Sequence, residues 1–137
     1  MVSSASMTVH LVWQGDLRFK GAVDGAPVAV DGDGQSGVSP VQMLATSLAG
    51  CMAIDIVHIL EKMRTPATGL SVELAVQRAK RDPRRVVSGT MRFTVVGKVP
   101  DKNVQRALDM SRETYCSVWQ SLRQDIALEC TFELRPD

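Results

Sequence analysis

The sequence predicts one α+β domain with the element order βββ-α-ββ-αα-β, and three observations carry that reading. An apolar run from Val41 to Leu60 has helical length, two runs of strand character at 70–80 and 85–97 flank the turn-forming "RDPR", and both ends of the chain alternate apolar and polar residues. A chain of 137 residues is the size of one ordinary domain. No internal repeat or linker divides it, so a single domain over 1–137 is expected, with residues 1–6 flexible.

The elements follow in order. "MTVHLVW" alternates Val9, Leu11 and Trp13 with Thr8, His10 and Val12, and "GAPVAVDGDG" reads as a short strand closed by turn residues. With Leu17 to Gly21 between them, these make a small antiparallel sheet. "DGDGQSG" at 31–37 then reads as a mobile loop. Ser39 can cap free backbone N–H groups and Pro40 suits the first helical position, so a helix is expected from about Pro40 to Met63. Its apolar residues cover nearly the whole circumference, which predicts burial on most sides. The strands at 70–80 and 85–97 form a long hairpin. Asp101 is a candidate cap for an amphipathic helix over Val104 to Met110, "TYCSVWQSLRQ" starts another after Thr114, and "IALECTFEL" turns Ile126, Leu128, Cys130 and Phe132 inward as a half-buried strand.

Composition removes several function classes. Lys and Arg number 16 against 15 Asp and Glu, so no overall field attracts nucleic acid or an anionic membrane. The basic cluster Arg78, Lys80, Arg81, Arg84 and Arg85 lies at a hairpin tip without interleaved aromatics and reads as a solvated turn. The apolar run is interrupted by Gln42, Asp55 and His58, and a charge at the bilayer centre costs about 2.5–3.5 kcal/mol, so the helix of a soluble protein is expected there. "MVSSASMTVHLVW" lacks the basic start and long apolar stretch of a secretory signal, which makes the cytoplasm the expected address. Three cysteines, 51, 116 and 130, cannot all pair within one chain, and in a reducing compartment any pairing is catalytic or redox-sensing. No paired ligand spacing, Walker-type glycine loop or EF-hand pattern is present, so neither a metal nor a cofactor is expected.

The thiols are the candidate chemistry. Cys51 lies about three turns into the long helix, beyond the reach of its positive end, and reads either as a packed core thiol or, given Asp55 one turn later and His58 nearby, as a functional one. Cys116 follows a Thr114 cap by two positions, where unpaired N–H groups favour the thiolate; the alternative is a half-buried residue at a helix start. Cys130 reads as core filling.

Taken together, "SPVQMLATSLAGCMAIDIVHIL" and, some sixty residues on, "SRETYCSVWQSL" resemble the OsmC/Ohr family of thiol-dependent hydroperoxide reductases, and within it the shorter, YhfA-like branch. The resemblance extends to the opening "VHLVWQGDLRFKG" and to the element order. It implies an OsmC-like fold in an intertwined homodimer, with the long helices buried at the subunit interface. It implies a peroxidatic thiol at the "AGC" cysteine, Cys51, and a resolving thiol at the "YCSV" cysteine, Cys116. It also implies an organic hydroperoxide as substrate, hydrogen peroxide less so, and a dithiol reductant. In the peroxidase branches a glutamate after the motif proline pairs with an arginine. Here that position is Val41, the neighbouring Gln42 is neutral, and the arginine's nearest match is Arg18 in "DLRFKG". Asp55 and Glu113 belong to the YhfA-like pattern, without an assigned step. The missing glutamate keeps a second reading open, a non-enzymatic dimer that binds a small apolar ligand or registers oxidation as a disulfide.

Overall fold

Alternation of apolar and polar residues at the N-terminus gives three strands, β1 (Val9–Gly15), β2 (Arg18–Val23) and β3 (Ala26–Asp31), paired as an antiparallel meander in the order β1-β2-β3. The structure, a computed structural model, describes residues 6–137, so most of the expected flexible segment 1–6 lies outside the described residues. Two compact units make up the chain, 1–44 and 45–137. In the first, Gly21 sits opposite Leu11, and an added Cβ would lie 1.7 Å from the His10 carbonyl oxygen, so only glycine permits these two strands to approach so closely. Apart from Asp31 the sheet is exposed or half-buried: Trp13 retains 63% of its surface.

The segment after β3 is not the mobile loop that its glycines suggested. The buried Asp31 carboxylate accepts hydrogen bonds from the backbone N–H of Asp33 (2.9 Å), Gln35 (3.3 Å) and Ser36 (2.9 Å) and from the Ser36 hydroxyl (3.0 Å), which closes the turn around one side chain. Helix α1 (Pro40–Lys62) begins as expected. The Ser39 hydroxyl accepts from the Gln42 N–H at 3.2 Å and the Gln42 side-chain oxygen accepts from the Ser39 N–H at 2.8 Å, a reciprocal capping box.

The second unit holds the core. Strands β4 (Gly69–Arg78), β5 (Val86–Val96) and β6 (Ala127–Arg135) form a sheet in the order β4-β5-β6, with β4–β5 antiparallel and β5–β6 parallel. A parallel neighbour needs a crossover, which α2 (Asp101–Met110), a π-helical turn (Ser111–Tyr115) and the short α3 (Ser117–Gln120) supply. Met91, Phe93 and Val95 on β5 cluster with Met52, Ile56 and Leu60 on α1 and with Val104, Ala107 and Leu108 on α2, all fully or almost fully buried. Leu128, Cys130 and Phe132 on β6 turn inward, as their alternation predicted.

Besides the Asp101 cap, whose place Pro100 takes because α2 starts at Asp101 itself, two expectations need correction. Helix α1 is not buried on most sides within the chain: Ile54 is 69% exposed and Val57 41%. The sheet and α2 pack against one face only, and the opposite apolar face has no covering within this unit. It is long and apolar enough to cross a membrane by length and composition, yet its packed face belongs to this core. The second correction lies at the third helix, which starts at Ser117 with Cys116 rather than Thr114 as its cap, because 111–115 is wound as a π turn.

Candidate functional site

The site is built where α1 meets the π turn. On α1, Cys51 and Asp55 stand four residues apart and so share a face, next to the buried Met52 and Ile56. Opposite them α2 ends at Met110 and the chain winds wider by one residue, closed by a hydrogen bond from the Cys116 N–H to the Ser111 carbonyl at 2.8 Å. Single π turns of this kind are frequent at functional sites, and this one joins two buried residues to the α1 pair. The Ser111 hydroxyl donates to Asp55 Oδ2 at 2.8 Å. The sulfurs of Cys51 and Cys116 and a carboxylate oxygen of Asp55 all lie within 4.8 Å of one another.

The two thiols differ in environment. Cys116 is fully buried, while Cys51 is half-buried and can be reached from outside. Burial, reinforced by the nearby Cys51 sulfur, pushes the Cys116 thiol up to about 11, against the opposing pull of the Trp119 and Val118 N–H groups. The local argument that unpaired N–H groups favour the Cys116 thiolate is therefore outweighed by burial. Its sulfur does accept from a helical donor, the Trp119 N–H at 3.3 Å, but for a buried sulfur the loss of solvation exceeds one weak hydrogen bond.

Around this centre the π turn is clamped in place. Arg112 donates to the Leu128 carbonyl on β6 at 2.6 Å and lies 5.3 Å from the centre of the Trp119 ring, and Gln120 donates to the carbonyls of Arg112 and Glu113. Cys130 accepts from Arg112 at 3.8 Å, its thiol also pushed up by burial, and it is not a member of the Cys51–Asp55–Cys116 cluster. A cavity of about 430 Å³ opens beside Asp55, lined by His58, Lys62, Met63, Arg106, Met110 and Tyr115 among others. The side chain of Glu113 is exposed. Arg18 belongs to the first unit, where its guanidinium donates to the Gln14 carbonyl at 3.4 Å and lies 3.9 Å from Asp16.

Sequence spacing gave no metal-ligand pattern, yet folding gathers Cys51, Asp55 and Cys116 into a cluster tight enough to hold a thiophilic ion. Such binding would require both thiols to ionise, which the burial of Cys116 opposes. Ser111 was missed altogether. A serine in "MSRETYC" carries no cue of its own, and only the π turn aims it at Asp55. Lys62 and Arg106 were missed for a similar reason, being ordinary helix-surface cations until α1 and α2 are packed together.

Comparison with known proteins identifies the family and the fold. A family model described as OsmC-like protein matches residues 32–131, which include both thiols and Asp55. Protein YhfA of Escherichia coli K12 is 33% identical over 131 residues, 93% of this chain and 98% of that protein. Among solved structures, a hypothetical protein from Aquifex aeolicus VF5 superposes with a TM-score of 0.89 at 23% identity, covering 97% of this chain and 98% of its own. The organic hydroperoxide resistance protein OsmC of Legionella pneumophila shares the fold with a TM-score of 0.73 at 11% identity, over 96% of this chain and 99% of its own. The sequence motif, the two-sheet architecture and the paired thiols thus converge, and the chain belongs to the OsmC-like family.

Proposed function

We propose that the protein is a thiol-dependent peroxidase that reduces organic hydroperoxides, with Cys51 as peroxidatic and Cys116 as resolving thiol. The observation that carries this reading is the juxtaposition of a reachable Cys51 and a buried Cys116 within 4.8 Å. The Cys51 thiolate attacks the peroxide, the O–O bond breaks, the alkoxide leaves as alcohol after taking a proton, and Cys51 becomes a sulfenic acid. Cys116 then bonds to the Cys51 sulfur and the hydroxyl departs as water. A dithiol reductant returns the disulfide to two thiols, and the cytoplasm is the compartment that supplies one. Arg18 is assigned the polarising role that the family gives to an arginine.

The functional unit is a homodimer of single OsmC-like domains. Ile54 and Val57 give α1 a second apolar face that a second copy of the same helix would bury. Free thiols counted by mass spectrometry before and after one equivalent of cumene hydroperoxide test the cycle. The wild type should lose two thiols as a 51–116 disulfide, and Cys116→Ser should hold a trappable sulfenic acid on Cys51. Full peroxide consumption by Cys51→Ser would refute the assignment.

The cavity beside Asp55 favours a second reading, a binding protein for a small amphipathic molecule. Its lining combines Met63 and Met110 with the cations Lys62 and Arg106. A molecule that copurifies in this cavity, together with no peroxide turnover under any dithiol, would decide for it.

A further inference from the structure

We propose that Asp55, held by Ser111, is the proton relay of the resolving step: it takes the proton from Cys116 as that sulfur attacks the Cys51 sulfenic acid and passes it to the departing hydroxyl. This rests on the hydroperoxide reading and assigns a residue to a step that the two cysteines alone do not complete. The step balances. One S–S bond forms, one S–O bond breaks, the proton of the Cys116 thiol leaves with the hydroxyl as water, and the carboxylate ends as it began.

Three observations converge on Asp55. Resolution needs the Cys116 thiolate, because the thiolate and not the thiol is the nucleophile. Burial, the largest cause of the raised Cys116 thiol, persists once Cys51 is oxidised, so Cys116 stays largely protonated near neutral pH and an attack that waits for spontaneous ionisation is slow. A base must therefore lie within reach of a fully buried sulfur, and a carboxylate oxygen of Asp55 is within 4.8 Å of both sulfurs. The Ser111 hydroxyl, itself fully buried, donates to Asp55 Oδ2 at 2.8 Å and so anchors one oxygen of that carboxylate. The other titratable or cationic groups lining the adjoining cavity are His58, Lys62, Arg106 and Tyr115; among the described carboxylates and imidazoles, Asp55 is the one grouped with both sulfurs. The two roles of the carboxylate are successive, base toward Cys116 and then acid toward the hydroxyl, and one group within 4.8 Å of both sulfurs can serve both. Ser111 is a positioning residue, since it acts only through Asp55.

The test separates the two chemical steps. Reduced wild type, Asp55→Asn, Asp55→Glu and Ser111→Ala are mixed with one equivalent of cumene hydroperoxide and quenched over time, with sulfenic acid trapped by dimedone and disulfide counted by mass spectrometry. In Asp55→Asn, disulfide formation should slow at least about tenfold more than Cys51 oxidation, the loss expected when a general acid–base group is removed. Sulfenic acid should accumulate. Raising the pH should restore disulfide formation in Asp55→Asn by about tenfold per unit, because hydroxide then ionises Cys116 directly, whereas the wild-type step changes far less. A merely structural role for Asp55 would not produce that slope. Asp55→Glu, which keeps a carboxylate, should recover part of the rate, and Ser111→Ala should fall between wild type and Asp55→Asn. Disulfide formation at the wild-type rate in Asp55→Asn, or a loss independent of pH, would overturn the relay while leaving the hydroperoxide cycle intact. Absence of sulfenic acid in Cys116→Ser refutes the cycle and the relay with it.

Discussion

The two sheets of this chain have three strands each and similar strand chemistry, yet they are buried very differently. In β4–β6 the central β5 buries Met91, Phe93 and Val95 completely, beneath side chains from α1 and α2. In β1–β3 the same alternation leaves Val9 56%, Leu11 40% and Trp13 63% exposed. Alternation therefore tells where a strand lies but not what covers it. The covered sheet also has its middle strand paired on both sides, once antiparallel and once parallel, and the parallel partner obliges the chain to cross over through α2 and the π turn that carry the site. Burial and chemistry share one unit because the same crossover creates both.

Two matched substitutions sharpen this contrast. Phe93→Ala empties the centre of the covered sheet and should cost about 3–5 kcal/mol of unfolding free energy, the usual range for a large aromatic removed from a packed core. Trp13→Ala, on the exposed sheet, deletes a comparably large ring but chiefly one hydrogen bond, from the indole N–H to the Asp16 carbonyl at 2.9 Å, and should cost about 0.5–1.5 kcal/mol. Urea titration of both variants measures the difference. Equal losses would mean that the β1–β3 sheet is covered in solution by a surface that the single chain does not supply.

What was legible in the sequence divides along the same line. Element order could be read because each helix and strand announces itself within its own window: the Ser39-Pro40 start of α1, the "RDPR" turn and the alternation of β6 all appear in the structure. The two thiols were found through motifs. The environment of those thiols was not legible, because it depends on residues 56 and 65 positions apart in the chain. Ser111 reaches Asp55 across 56 residues, and Cys116 lies 65 residues beyond Cys51. Helix-end reasoning favoured ionisation of Cys116 because it counted local N–H donors and had no measure of burial. The tethered turn at 31–37 failed for the opposite reason: its composition spelled a loop, and Asp31 was one of its acids rather than its organiser.

A smaller effect is expected where the first unit passes into α1. Ser39→Ala removes the hydroxyl that accepts the Gln42 N–H, leaves a first-turn donor without that bond, and should cost about 1 kcal/mol. The loss should appear as a lowered unfolding midpoint, and Ser39→Asp, which restores an acceptor at the cap, should recover it. Equal destabilisation by Ala and Asp would show that the hydroxyl acts in some way other than capping.

The smallest effect is confined to acid. The backbone N–H of Ser36 above all, followed by that of Asp33, holds the Asp31 carboxylate below its ordinary value of 3.8. A carboxyl whose value is depressed by folding contributes stability above the unfolded value, and that contribution is lost as pH falls through the folded one. The turn at 31–37 should therefore keep its geometry at neutral pH and loosen only in acid below the ordinary aspartate range. Asp31→Asn should already be weakened at neutral pH and show a flatter acid limb, because its amide cannot gain or lose the proton. Amide exchange at Asp33, Gln35 and Ser36, followed between about pH 5 and pH 2, reads this directly. Protection that fades in the wild type with the same profile as in Asp31→Asn would mean that the carboxylate's charge is not what holds the turn. If only the wild type shows an acid step, a loop that looked mobile by composition owes its order to one ionised side chain.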